Sequence, residues 1–295
     1  DSLYRDTSRS AVSFSGIVEA DLAVPLAISG TCNYNSWASE GDKAATARGI
    51  NLANYPRRIY VFPAGHNCGW AGLGTLGGSP SRSWIAGGYC GHTGVYAHEL
   101  GHNLTMHHAA TPTSEYGDNS DVMGGAGTLK RMNAPHLVQM GWIPSTKVST
   151  VGVGNHEIAS VSSDPVSTGL AQVLKVSRPS ANDHYYLSWR SAVGMDANLS
   201  STFLNRLSVH TYSSGMAKTY LIQTLGQGES FVDSVNGVRF RVDSIGSSSM
   251  RIAIEGECTR NAPTMTIQSS VNIGLNAKSS LTFSLKNNDS PFCPG

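Results

Sequence analysis

Residues 98–102 read His-Glu-Leu-Gly-His, two imidazoles and a carboxylate at the HExxH spacing that can hold a metal ion and use it. On a helix, residues four apart stand one turn apart on one face, so His98 and His102 lie about 6 Å apart along the axis at a rise of ~1.5 Å per residue. Both can then ligate one ion. Glu99 sits about 100° round the helix at ~3.6 residues per turn. It flanks the ion without ligating it and can serve as general base toward a water there. Catalytic zinc takes three protein ligands and leaves its fourth position open, so one more ligand must come from beyond this turn. His107 and His108 follow closely, but a continuous helix would carry both past the ion. The chain must bend sharply after about Asn103–Thr105 and fold back.

The elements that position these residues are read from periodicity. The active-site helix is expected from Thr93 to Leu104, its back face of Tyr96, Leu100 and Leu104 packed into the domain. Residues 36–54 show a helical apolar pattern closed by Pro56, and Arg57–Pro63, β-branched and aromatic, is the clearest strand. Val12–Val18 and Ala23–Ile28 also read as strands, and Ser83–Ala86 as a short inner one. A helix is expected over Leu129–Met140, with Pro135 arguing for a late start or a kink. From Pro144 the pattern changes to short alternating runs between turn signals, at Val148–Val153, Gln172–Val176, His184–Trp189, Leu207–Tyr212, Thr219–Thr224, Val238–Val242 and Met250–Ile254. Such spacing predicts an antiparallel β-sandwich. It carries no evident catalytic constellation, and its His156, His184 and His210 are read as structural. Pro263–Ile267 and Ser280–Leu285 look like strands of a further β module.

Composition narrows the function. Charged residues are 14% of the 295 and the formal net charge is +1, so no nucleic-acid partner is implied. No run of about 18 apolar residues exists, so no membrane span is expected. The chain starts at Asp1 without an initiator Met and is read as the processed form of a secreted protein. None of the five cysteines forms a CxxC pair. Cys258 and Cys293 bracket the last segment and are expected to pair. Cys68–Cys90 is the preferred second bridge, leaving Cys32 over, with Cys32–Cys68 as the alternative. Asp118 and Asp121 are read as turn and capping residues; calcium there has no supporting repeat of carboxylates.

Four segments carry a family resemblance: HELGHNLTMHH (98–108), SDVMG (120–124), NAPHLVQMGW (133–142) and CGWAGLG (68–74). Together they resemble the gametolysin family of secreted zinc endopeptidases, within the metzincins, well over about 30–145 and more weakly to about 255. The resemblance implies His108 rather than His107 as third ligand, Met123 in a tight turn beneath the metal, and one catalytic zinc. It also implies that Ala71–Leu76, with Ala71, Gly72, Leu73 and Gly74, is the edge strand along which an extended substrate lies. The family usually carries Gly midway between the second and third His. Thr105 stands there instead, so either it turns with negative φ or the bend is built differently.

The expected fold is α+β. A metzincin-type catalytic domain, a mixed twisted sheet with the active-site helix, spans 1–145, a β-sandwich domain 146–256 and a C-terminal β extension 257–295. The expected function is a secreted zinc-dependent endopeptidase, a monomer acting on extracellular proteins such as matrix or cell-wall glycoproteins. Two rivals keep the metal. A thermolysin-like enzyme takes a later Glu as third ligand, but neither Glu115 nor Glu157 suits that role. A catalytically inactive matrix- or carbohydrate-binding adhesin would have no need of Glu99.

Overall fold

The computed structural model describes residues 1–25, 31–63, 68–256, 260–267 and 283–289. In chain order the elements are helices α1 (Ser2–Thr7) and α2 (Tyr34–Ala47), strands β1 (Arg57–Val61), β2 (Gly72–Gly74) and β3 (Ser81–Ile85), helix α3 (Thr93–Asn103), strand β4 (Ala109–Ala110), helix α4 (Ala134–Gln139), and strands β5 (Val148–Thr150), β6 (Gly154–Ala159), β7 (Val173–Arg178), β8 (Asp183–Trp189), β9 (Leu207–Tyr212), β10 (Thr219–Leu225), β11 (Ser230–Asp233), β12 (Val238–Ile245), β13 (Ser249–Gly256), β14 (Thr264–Ile267) and β15 (Phe283–Lys286). The class is mixed α+β, richer in sheet than in helix.

The first sheet has the order β1-β3-β2, with β1 parallel and β2 antiparallel to the central β3. The alternation of Ser81-Arg-Ser-Trp-Ile85 suits a central position, since all but Arg82 are buried. Helix α3 lies against β2 and β3. Asn103, at its last turn, stitches it there: its amide donates to the carbonyls of Thr75 (3.1 Å) and Arg82 (2.9 Å), and its Oδ1 accepts from the Ser83 hydroxyl (3.0 Å). Beneath the helix, Ala97, Leu104, Met106, Val122 and Met123 join Leu3 and Tyr4 from α1 in one apolar core. Tyr96 and Leu100, expected on the packed face, are only half-buried, because the helix is gripped mainly through its Gly94, Ala97 and Gly101 stripe.

Downstream, six strands run in the order β4-β10-β9-β8-β7-β5 and four in the order β11-β12-β13-β6. These two sheets share a second core, in which Leu187, Trp189, Leu207 and Val209 of one meet Phe240, Val242, Ile252 and Ile254 of the other. The first core also crosses residue 145: Val161, Val173, Tyr186 and Tyr212 belong to it. Strand β4 does so as well, because Ala109 and Ala110 pair in parallel with Thr219 and Tyr220 of β10.

Some expectations are corrected. Residues 12–18 form no strand. Their alternation finds no neighbouring strand, and Val12 and Phe14 instead pack on the first core, with Phe14 edge-on to Tyr4. The helix expected over 129–140 starts only at Ala134, where the Asn133 side chain accepts from the His136 amide and Pro135 occupies the first turn. Cys68 bonds to Cys32, not Cys90. Their Cα atoms are 4.9 Å apart, within bridging reach, whereas Cys90 follows a short turn and is free and exposed. The Cys258–Cys293 pairing and residues 26–28 of the Ala23–Ile28 strand lie outside the described residues. No helix of the described residues is long and apolar enough to cross a membrane.

Candidate active site

Helix α3 has no proline between Thr93 and Asn103 and presents His98 and His102 one turn apart, ring centroids 4.8 Å from each other. It ends in a Schellman turn. The Thr105 amide donates to the His102 carbonyl (2.8 Å) and the Met106 amide to that of Gly101 (3.1 Å). Thr105 takes the left-handed conformation with φ +75°. A β-branched residue therefore occupies the position where glycine is favoured, and negative φ does not apply. Its carbonyl is held by the Gln139 amide at 3.0 Å. The reversal brings His108 back, with its ring 5.3 Å from His98 and 4.8 Å from His102.

One ring nitrogen from each of His98, His102 and His108 lies within 4.8 Å of the others, and His107 is not part of the group. The other nitrogens fix the tautomers. His98 Nδ1–H donates to the Val122 carbonyl (2.9 Å), His102 Nδ1–H to the Met106 carbonyl (2.8 Å), and His108 Nδ1–H to Glu115 (2.8 Å). Those acceptors carry no proton of their own, so Nδ1 must donate and Nε2 keeps its lone pair. Burial lowers each of the three imidazoles from the ordinary 6.5 to about 4. At neutral pH all three are unprotonated and free to act as ligands. Three such nitrogens with no thiolate suit zinc.

Glu99 faces the same space and is buried; burial raises its carboxyl to about 8. Strand β2 crosses directly over it. A Cβ at Gly72 would stand 2.4 Å from Glu99 Oε1, and one at Gly74 2.9 Å from the His102 Cβ. Only glycine lets the strand lie this close. With Leu73 between them, Gly72 and Gly74 form the outer strand of their sheet, shorter than the expected Ala71–Leu76; Ala71 precedes it and accepts from the Ala86 amide (2.9 Å), and beyond β2 no further strand pairs among the described residues. On the opposite side, Met123 sits under the helix, where a Cβ at Gly101 would come 2.2 Å from its Sδ.

The turn carrying Met123 is held by two fully buried carboxylates. Asp121 accepts from the amides of Met123 (2.7 Å) and Asn133 (2.7 Å) and from His136 Nδ1 (2.8 Å). Asp118 accepts from Ser120 Oγ (2.6 Å), Asn133 Nδ2 (3.0 Å) and His210 Nε2 (3.0 Å). This is turn chemistry extended into a network, and it gives His210 a role beyond its own strand.

Several residues have no local sequence signal. Tyr116, half-exposed, sets its ring 4.3 Å from His108 and 5.9 Å from His98, walling the solvent side of the triad. Glu115 backs His108. From the β-rich half, the Thr219 amide donates to the His108 carbonyl (3.2 Å) and Lys218 pairs with Glu115 (2.7 Å). Sequence separations near 100 residues hide such partners.

No solved structure matches this chain. Among characterised proteins it is similar to the autolysin of Chlamydomonas reinhardtii, 32% identical over an alignment 197 residues long that covers 53% of this chain and 31% of the relative's length. The aligned part thus spans about a third of that protein. The family model described as gametolysin peptidase M11 matches residues 8–239, taking in the histidine triad and the whole six-stranded sheet that follows. On that match the chain belongs to the gametolysin family of metallopeptidases.

Proposed function

We propose that this chain is a secreted, zinc-dependent endopeptidase with a metzincin-type catalytic half and a β-sandwich behind it. The observation that carries this reading is the convergence of three neutral imidazoles beside a buried carboxylate that is not one of them. His98, His102 and His108 would hold the zinc through Nε2. The bound ion would supply Lewis-acid polarisation of the scissile carbonyl and acidify a neighbouring water. Glu99 takes the proton from that water on a carboxylate oxygen and passes it to the leaving amine nitrogen. Strand β2 offers its free edge to an extended polypeptide, which would pair along Ala71–Gly74 as an added strand. The family and the autolysin relative favour matrix or cell-wall glycoproteins as substrates.

The rival reading is a zinc-holding adhesin without activity. Glu99 speaks against it, because holding the metal needs no buried acid at that point on the helix. The test is casein hydrolysis by purified protein alongside metal analysis. Wild type is expected to bind one zinc and cleave, and Glu99→Ala to keep the zinc while losing activity by about 10²–10⁴-fold, the usual contribution of a general base. Full activity in Glu99→Ala, or a zinc-loaded wild type that cleaves nothing, overturns the proposal.

A further inference from the structure

The three imidazoles are not backed alike. His98 and His102 give their Nδ1–H to neutral carbonyls of the N-terminal half, at Val122 and Met106. His108 gives its own to a carboxylate, Glu115. That side chain is about half exposed and stands in a turn rich in Thr, Ser and Gly. Left alone it would sample many rotamers. It does not stand alone: the same oxygen, Oε1, that accepts from His108 also accepts from Lys218 Nζ at 2.7 Å. The next residue, Thr219, donates its amide to the His108 carbonyl at 3.2 Å. The start of β10 thus grips the third imidazole at both ends, at its backbone directly and at its ring through Glu115. Strand pairing makes this grip rigid, because Ala109 and Ala110, immediately after His108, run in register with Thr219 and Tyr220.

We infer that Lys218 and Glu115 form a positioning pair through which the β-rich half sets the orientation and donor strength of His108. This rests on the reading of His98, His102 and His108 as metal ligands. A carboxylate behind an imidazole fixes its tautomer and strengthens its lone pair, and loss of such a partner costs about 10–100-fold in metal affinity. Glu115 supplies that effect and Lys218 holds Glu115 in place. The cation therefore acts on the site without touching it.

The experiment is zinc titration of the metal-free chain against a competing chelator, with melting of the metal-free proteins in parallel. Glu115→Gln and Lys218→Met are each expected to weaken zinc about 10–100-fold. The double variant should be no weaker than Glu115→Gln, since the two residues act in series. Lys218→Arg should recover most of the loss, and the metal-free melting temperatures should match wild type. Wild-type zinc affinity in Lys218→Met, or additive losses in the double variant, overturns the inference while leaving the triad intact. A fall in metal-free melting temperature that tracks the affinity loss and is not rescued by arginine marks a purely structural role and overturns it too. Failure of wild type itself to bind zinc removes the underlying reading instead.

Discussion

Four titratable groups in one small space, three of them buried and His108 partly so, make this site sensitive to pH before any metal is added. His98, His102 and His108 are held neutral in the fold, lowered to about 4 from 6.5 by burial. The unfolded chain takes up those protons below pH 6.5, so the stability they contribute is lost as pH falls from 6.5 toward 4. Glu99 runs the other way. Burial raises its carboxyl from 4.5 to about 8, so the fold keeps a proton that the unfolded chain has already released. Its contribution is fully present below 4.5 and disappears as pH rises through 8. The metal-free protein is therefore expected to be most stable at about pH 6.5–7, where the two trends balance. Thermal melts from pH 4 to 9 check this, with Glu99→Gln as the informative variant. It should lose the decline between pH 6.5 and 8 while keeping the acid limb, because an amide does not titrate. Parallel curves for wild type and Glu99→Gln across that alkaline window would show that Glu99 is not the group responsible.

At the scale of elements, the site depends on how α3 stops. The left-handed region costs a non-glycine residue ~1–2 kcal/mol, and Thr105 adopts it at φ +75°. Glycine would relieve that strain and add ~0.5–1 kcal/mol of unfolded-state entropy cost in return. Thr105→Gly is thus expected to stabilise by roughly 0.5–1 kcal/mol, read as a higher urea midpoint. The opposing possibility is physical: the Thr105 methyl lies over Gly77, 3.0 Å from where its Cβ would be, and a lower midpoint would show that this contact outweighs the strain. The same turn illustrates what could be read beforehand. The register of His98 and His102 follows from helix geometry alone, and the late start of α4 follows from Asn133 and Pro135. The Thr105 conformation contradicts local preference and is fixed by the Schellman hydrogen bonds and by Gln139, a partner 34 residues away. Likewise the strands β7 to β10 show their alternation openly. Strand β6, polar and largely exposed along Gly154-Asn-His-Glu, does not, and β4, two alanines long, carries no pattern to read. The Cys32–Cys68 bridge could not be chosen by spacing, because only the folded positions of α2 and the segment after β1 set which sulfurs meet.

For the molecule as a whole, the β-rich half is part of the site's support. Arg190, just past β8 and almost fully buried, extends its guanidinium into the first half. It donates to the carbonyls of Ser120 (2.7 Å), Arg131 (3.3 Å) and Met132 and to Asp196 (3.2 Å), which accepts in turn from Ser162 Oγ. The Ser120 carbonyl belongs to the turn that carries Met123 and whose Val122 carbonyl orients His98. Removing one partner of a buried ion pair costs ~3–5 kcal/mol, because the remaining charge stays out of water. Arg190→Met is therefore expected to destabilise by about that amount, with Asp196 and three backbone oxygens left short of donors. The comparison is Arg178→Met, which breaks a partly exposed pair with Asp183 at 3.0 Å and should cost about 1 kcal/mol or less. If Arg190 locks the Met123 turn to the β-rich half, wild type should lose zinc and unfold as one transition along a urea titration, whereas Arg190→Met should lose zinc before it loses the sheets. A single coincident transition in Arg190→Met would instead show that the halves are coupled by other contacts and that Arg190 only fills space between them.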